Sequence, residues 1–344
     1  MELRVPLFPA ADRLRELLAR QAFVVAGPGT PGLSPEFAGR DPWGYAERLL
    51  GVRPRMLERQ PIRAVEGGKS FASTSRFTPL HTDSQLHDGG PPDVQIMACM
   101  RSAERGGESL LLDTWQMLRE MERQEPSLVD ALFTVPRLHP FVFGDLTGPT
   151  LARRGGSLAF THSPRSAELD AVGRQLDLWL GRTPPVEVAV RTGETLVLDN
   201  RRALHGRRAF DDPERSFVRL LVWLPEPLSR HERWEAQAAT WQASHPAPAL
   251  PGEARRHGWP GRPLPEGEER LALVMAMLRG APPGGLAARS GVPEPLLYAW
   301  REAAIAAARQ ALDDAPGPPT AGPGSRRFAL PRGFPLSCRR DERG

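Results

Sequence analysis

Residues 93–115, DVQIMACMRSAERGGESLLLDTW, decide the fold. The runs 93–100 and 109–112 are apolar and rich in β-forming side chains, and the turn Arg105-Gly106-Gly107 between them reverses the chain. Asp113 then offers a carboxylate to the free N–H groups of a helix beginning near Trp115. Upstream, Leu14, Leu17 and Leu18 fall at helical spacing within residues 10–20, and the apolar run 22–26 follows as a strand. Downstream, residues 186–190, 195–198 and 217–224 read as strands, the first two separated by Arg191-Thr192-Gly193. Strands with glycine-containing turns, and helices before and between them, predict an α+β chain that is mainly β: an antiparallel sandwich with helical decoration. No GxGxxG or P-loop pattern opposes this.

Further out the composition changes. From residue 225 to 266 the chain is rich in Pro, Glu, Arg and Trp, which marks a linker or a wrap around the core. The expected organisation is a core domain over 1–228, this linker or wrap over 229–266, a small helical module over 267–314 and a flexible Arg-rich tail over 315–344. In the module, helices are expected at 268–279, 284–289 and 294–312, with Ser290-Gly291-Val292-Pro293 as a turn.

At 344 residues, with 40% hydrophobic and 25% charged residues, the chain has room for one sizeable catalytic core and an appendage. A net charge of +4 from 45 basic and 41 acidic residues is too small an excess to call for a polyanionic partner. No run approaches the length of a membrane span, and residues 1–20 alternate apolar with charged side chains, so a cytoplasmic location and no membrane contact are expected. Cys99 and Cys338 are the two cysteines, which leaves histidines and carboxylates to bind any metal.

Leu80-His81-Thr82-Asp83 sets an imidazole and a carboxylate two residues apart, on one side of an extended backbone. A third ligand would complete the two-His-one-carboxylate face of an octahedral Fe(II), and His205 is the best candidate. Arg215 and Arg219 follow it, four apart on an expected strand, and a guanidinium makes bidentate hydrogen bonds to a carboxylate. An ordinary ion-pair face with Asp211, Asp212 and Glu214 is the alternative for these two arginines.

These pieces, with Gly106-Gly107-Glu108-Ser109 and His205-Gly206-Arg207, resemble the taurine dioxygenase and clavaminate synthase-like oxygenases over roughly residues 10–225. The resemblance implies a double-stranded β-helix (jelly-roll) core and use of Fe(II), 2-oxoglutarate and O₂. It implies that His81, Asp83 and His205 bind iron, and that Arg215 and Ser109 bind the distal carboxylate of 2-oxoglutarate. Arg219 would reach an anionic group of the substrate. The His205 to Arg215 spacing is shorter than in the family's amino-acid oxygenases, which leaves the division of labour between the two arginines open.

The implied reaction is oxidative decarboxylation of 2-oxoglutarate to succinate and CO₂, coupled to hydroxylation or a related oxidation. Asp83 stands where halogenating relatives carry a small residue, which favours hydroxylation. The expected substrate is an amino acid or amino-acid-derived group in specialised metabolism, free or tethered to a carrier protein. A sulfonate or other small organic acid is the alternative. His162 and Arg165, between the two ligand motifs, are candidate substrate contacts, and Gln95 and Trp223 serve either the pocket or packing.

Residues 268–312, particularly 286–292 and 297–301, resemble a helix-turn-helix of the transposase and regulator type, which would make the chain a DNA-binding 2-oxoglutarate sensor. Glu294, Pro295, Leu296 and Leu297 stand where such a helix would meet DNA, and they suit packing or docking better than phosphate or base contact. Nucleic acid is therefore not an expected partner. Leu271, Val274, Leu278, Leu296 and Leu297 need cover from the module, the core or a second subunit of a homo-oligomer.

Overall fold

Side-chain alternation along the strands builds this molecule in layers. The computed structural model describes residues 3–5, 10–27, 33–65, 70–85, 90–141, 144–165, 170–245 and 267–278, with scattered positions between 281 and 308. The chain divides into Met1–Ile305, treated below, and Ala306–Gly344, of which residues 307 and 308 are described, both helical.

Six strands form one sheet in the order β1 (Arg4–Val5), β2 (Phe23–Ala26), β12 (Thr195–Asp199), β5 (Val94–Arg101), β14 (Ser216–Trp223) and β3 (Met56–Arg63). Apart from the parallel pair β1–β2, its neighbours are antiparallel. A second, four-stranded antiparallel sheet runs β11 (Val186–Val188), β6 (Ser109–Asp113), β13 (Ala203–Arg207) and β4 (Thr78–His81). The sheets face each other, because Ile62, Cys99, Leu198 and Phe217 of the first pack with Leu111, Val188 and Ala203 of the second.

The outer faces are covered by helices. α1 (Ala11–Gln21), α2 (Pro35–Arg40) and α3 (Pro42–Leu50) bury Leu14, Leu18, Ala38, Tyr45 and Leu49 against Ile96, Val197 and Leu220. Over the smaller sheet, α4 (Thr114–Gln124), α5 (Pro126–Thr134) and α6 (Ala171–Arg182) bury Trp115, Leu118, Phe133 and Trp179 against Leu112 and Leu204. Asp113 caps α4 by accepting from the Trp115 N–H at 3.0 Å, as the sequence predicts. Two hairpins, β7 (Arg137–Phe141) with β8 (Gly144–Gly148) and β9 (Leu151–Arg154) with β10 (Ser157–Phe160), lie between α5 and α6 in the chain.

The apolar strands fall within a residue or two of the sequence reading; β4 and β13, which that reading left without strand assignments, carry Pro79, His81, His205, Gly206 and Arg207 in place of a β-forming pattern. The expected domain end at 228 is too early. α7 (Glu232–Ser244) buries Trp234 and Ala238 among the residues of α4, α5 and α6, so the core continues to about residue 245. Residues 246–266, the tail 315–344, His87, His257 and the segment Glu294, Pro295 and Leu296 lie outside the described residues.

In α8 (Gly267–Leu278), Val274 and Met277 are buried, and Met277 joins Leu286, Val292 and Leu297 in a small apolar cluster of their own. Leu271 and Leu278 are exposed. Among the described residues, no helix is long and apolar enough to cross a membrane.

Candidate active site

β4 and β13 pair so that His81 and His205 are direct cross-strand partners, with ring centroids 4.4 Å apart. Gly206 makes this approach possible: a Cβ there would come within 2.6 Å of the Thr78 carbonyl oxygen on β4. The chain leaves β4 at His81 and bends at Asp83, whose carboxylate faces both imidazoles. Asp83 Oδ1 lies 3.4 Å from His81 Nε2 and Oδ2 lies 3.2 Å from His205 Nε2. One ligand atom from each of the three residues falls within 4.8 Å of the others, a spacing that can hold a metal ion.

The surroundings fix these groups. His81 Nδ1 meets the Pro79 carbonyl at 2.9 Å; as the donor it leaves the Nε2 lone pair free for a metal. The Thr82 N–H and hydroxyl both donate to the His162 carbonyl at 3.1 Å, and the His162 N–H donates back to Thr82 Oγ1 at 3.0 Å. Asn200 Nδ2 donates to the Asp83 carbonyl at 3.3 Å. Burial works to raise the Asp83 carboxyl, but the Arg219 guanidinium and the two imidazoles hold it well below the usual range. Burial, then the neighbouring His81, lowers His205, which favours the neutral, ligating form.

Arg219 donates to Asp83 Oδ2 and to Gln60 Oε1. It therefore sits against a candidate metal ligand. Arg215 lies at the other end of the same cavity, which has a volume of about 60 Å³ and is also lined by His81, Gln95, Ser109 and His205. The Arg215 side chain is clamped between Phe210 and Phe217, 4.8 and 4.3 Å from their ring centroids, and donates to the Gly107 carbonyl at 3.1 Å. Gly107 has a φ of 77°, and a Cβ there would meet Arg215 Nε at 2.8 Å.

Only 3% of Arg215 is exposed, and among the described residues no carboxylate forms an ion pair with it. Asp212 and Glu214, expected as alternative partners, approach Arg101 and Arg63 instead. Burial and the nearby Arg207 push Arg215 down to about 10, and burial does the same to Arg207.

Of the remaining candidates, Ser109 lies on the cavity wall. His162 is buried and braces Thr82 through its main chain, but does not line that cavity; burial, then His139 and Arg137, take it down to about 3. Arg165 is exposed, away from the cavity lining. Sequence reasoning missed Glu58 and Gln60. Both point inward from β3, because Leu57 packs under the helices and Ile62 packs between the sheets. The sequence carries little signal for them, because both faces of 56–63 mix polar with apolar side chains.

Residues 40–177 match the family described as "Taurine catabolism dioxygenase TauD, TfdA family". The match includes His81, Asp83 and Ser109 and stops before His205 and Arg215, so the second half of the site stands on the geometry above. A uridine-5'-phosphate dioxygenase of Streptomyces sp is 26% identical over 200 residues, covering 51% of this chain and 73% of the relative. One from Amycolatopsis sp is 27% identical over 186 residues, and there the match spans 49% of this chain and 64% of the relative. Human gamma-butyrobetaine dioxygenase is 22% identical over 170 residues, 41% of this chain and 42% of that enzyme. Among solved structures, the non-heme iron oxygenase OrfP in complex with Fe and alpha-ketoglutaric acid is 20% identical, with a TM-score of 0.47 over 63% of this chain and 80% of that one.

Proposed function

We propose, for a chain of the TauD, TfdA family, that it is an Fe(II)/2-oxoglutarate-dependent dioxygenase which hydroxylates a small amino-acid-type substrate, free or presented on a carrier protein. The observation that carries the reading is Arg215, a buried guanidinium without a carboxylate partner, on the cavity that also reaches the His81–Asp83–His205 cluster. An unpaired buried cation is costly and calls for an anion of matching shape. The facing antiparallel sheets are read as a double-stranded β-helix, with the cluster between them.

The residues fit the implied groups. Two imidazoles with one carboxylate are the donor set that Fe(II) takes in this type of oxygenase, with open positions left over. His81, Asp83 and His205 would hold the iron, which when bound supplies the O₂ chemistry coupled to 2-oxoglutarate decarboxylation. Arg215 and Ser109 hold the distal carboxylate of 2-oxoglutarate. Leu111 from the smaller sheet and Leu196 and Met97 from the larger one line the same cavity and exclude water. Arg219, at the opposite side of the cluster, offers a guanidinium to an acidic group of the substrate.

The test is succinate release from Fe(II)-loaded protein against free and carrier-bound amino acids, small sulfonates and organic acids, and uridine 5'-phosphate. Stimulation by an amino-acid member is expected. Stimulation by sulfonates or by the nucleotide alone would overturn the substrate class, and no succinate under any condition would overturn the reaction class.

A further inference from the structure

We propose that the end of the sandwich beyond the metal-ligand cluster is a subsite for the substrate's ammonium group, with Glu58 as counter-ion and Gln95 as a second acceptor. This rests on the oxygenase reading above. The geometry starts from register. Gln60, Arg219 and Met97 form one cross-strand row on the inner face of the larger sheet, and Glu58, Leu221 and Gln95 form the row next to it. Along β14 the chain passes from Arg215, to Arg219 beside Asp83, to Leu221. The Glu58 row therefore lies on the side of the cluster away from Arg215.

Its polar atoms lack complements. Glu58 and Gln95 are 7% and 2% exposed, and the Oε1 atom of each has no hydrogen-bond partner among the described residues. Asn200, whose Nδ2 donates to the Asp83 carbonyl, likewise leaves Oδ1 unpartnered. All three atoms are acceptors. Arg219 adds the opposite deficiency, an unpartnered Nε donor. A buried acceptor left without a donor costs free energy, so two such atoms on one cross-strand row, with a third on Asn200, point to donors supplied from outside the chain.

A zwitterion supplies both halves: its carboxylate meets Arg219 and its ammonium meets Glu58 and Gln95. Strands two apart place the Glu58 and Gln95 backbones roughly 10 Å from each other, a span their side chains can share over Leu221 with one small cation. Burial, with the nearby Asp83 carboxylate, pushes Glu58 up to about 8 despite the pull of Arg219, and an ammonium beside it would draw that value down.

The experiment is anaerobic titration calorimetry on Fe(II)- and 2-oxoglutarate-loaded protein. The probes are L-arginine and L-asparagine, each beside its desamino counterpart, 5-guanidinopentanoate or succinamate, with uridine 5'-phosphate as a ligand lacking an amine. At least one amino acid should bind about 30-fold or more tightly than its desamino partner, the scale of a buried charged hydrogen bond. Glu58→Gln should shrink that preference to a few-fold, and Gln95→Leu should reduce it less. The 2-oxoglutarate affinity of both variants, measured first, reports that they fold.

Equal binding of amino and desamino ligands, no binding of either, or a preference that survives Glu58→Gln would overturn the subsite. Loss of 2-oxoglutarate binding in the wild-type protein would instead overturn the oxygenase reading, so the two failures are distinguishable.

Discussion

On one side of His81, Asp83 and His205 the interior holds guanidinium groups without anions, Arg215 and Arg207; on the other it holds oxygens without donors, on Glu58, Gln95 and Asn200. Elsewhere the same interior is careful to match its charges. Arg202 pairs with Asp113, and Arg201 with Asp93 at 2.5 Å, all four nearly fully buried. Arg137 likewise meets Asp170 at 3.0 Å. Structural ion pairs and unmatched groups thus coexist in one fold, and unmatched groups of opposite sign flank this site. Burial without a partner disfavours folding, so such groups persist where a ligand completes them. The sign of what is missing states the sign of the ligand.

The largest effect should come from removing the divide between the two ends. His81→Ala or His205→Ala is expected to abolish Fe(II) binding and 2-oxoglutarate turnover, with the circular dichroism of the folded chain retained. Metal content and succinate release measure this. Normal iron content in both folded variants would break the assignment of the cluster.

Next in size, Arg215→Ala should weaken 2-oxoglutarate by about 2–5 kcal/mol, since it leaves the co-substrate's carboxylate buried and unpaired. Arg219→Ala should cost the prime substrate about 1.5–3 kcal/mol and 2-oxoglutarate less. Titration of each variant with both ligands checks the ranking. A reversed order would exchange the roles of the two ends, which the short His205 to Arg215 spacing leaves open in the sequence.

The cation end was legible in the sequence, whereas of the acceptor end only Gln95 was, as a residue of either the pocket or packing. His81, Asp83, His205, Arg215 and Ser109 sit in short motifs, and the apolar runs that became β5, β6, β12 and β14 carry their own strand signal. Glu58 and Gln60 have no motif. Each face of their strand mixes polar and apolar side chains, Leu57 with Arg59 and Arg63 on the outer face and Glu58 and Gln60 with Ile62 on the inner one, so the pattern does not say which face looks into the sandwich. Arg219 was legible as a candidate anion clamp, but its contact with Asp83 depends on the bend after His81, and no residue type announces that bend. The packing of Trp234 on the core was hidden for a similar reason, since the composition of 229–266 reads as a linker or a wrap without marking which of its residues pack.

The smallest predicted effect concerns two buried imidazoles that remain neutral. His139 and His162 are buried beside the cluster, and both are taken down to about 3, by burial and then by Arg137 for His139 and by His139 for His162. Their ordinary value is 6.5, so the unfolded chain takes up these protons well before the folded one does. The folded-state values are depressed, which means the contribution to stability is fully present above pH 6.5 and is lost as pH falls toward 3. Each group should cost about 1.4 kcal/mol per pH unit inside that window. The wild-type profile will be shallower, because Glu58 and Asp199, raised by burial to about 8 and about 6, titrate with the opposite sign. Comparison with His139→Gln isolates one group, since glutamine can still donate to the Gly148 carbonyl that His139 Nε2 meets at 3.2 Å. Urea unfolding at pH 7.5, 6.0 and 5.0 should show the wild type losing stability relative to the variant as pH drops. Parallel profiles would mean that His139 accepts its proton in the folded state, and that this end of the interior tolerates a cation which its present partners do not explain.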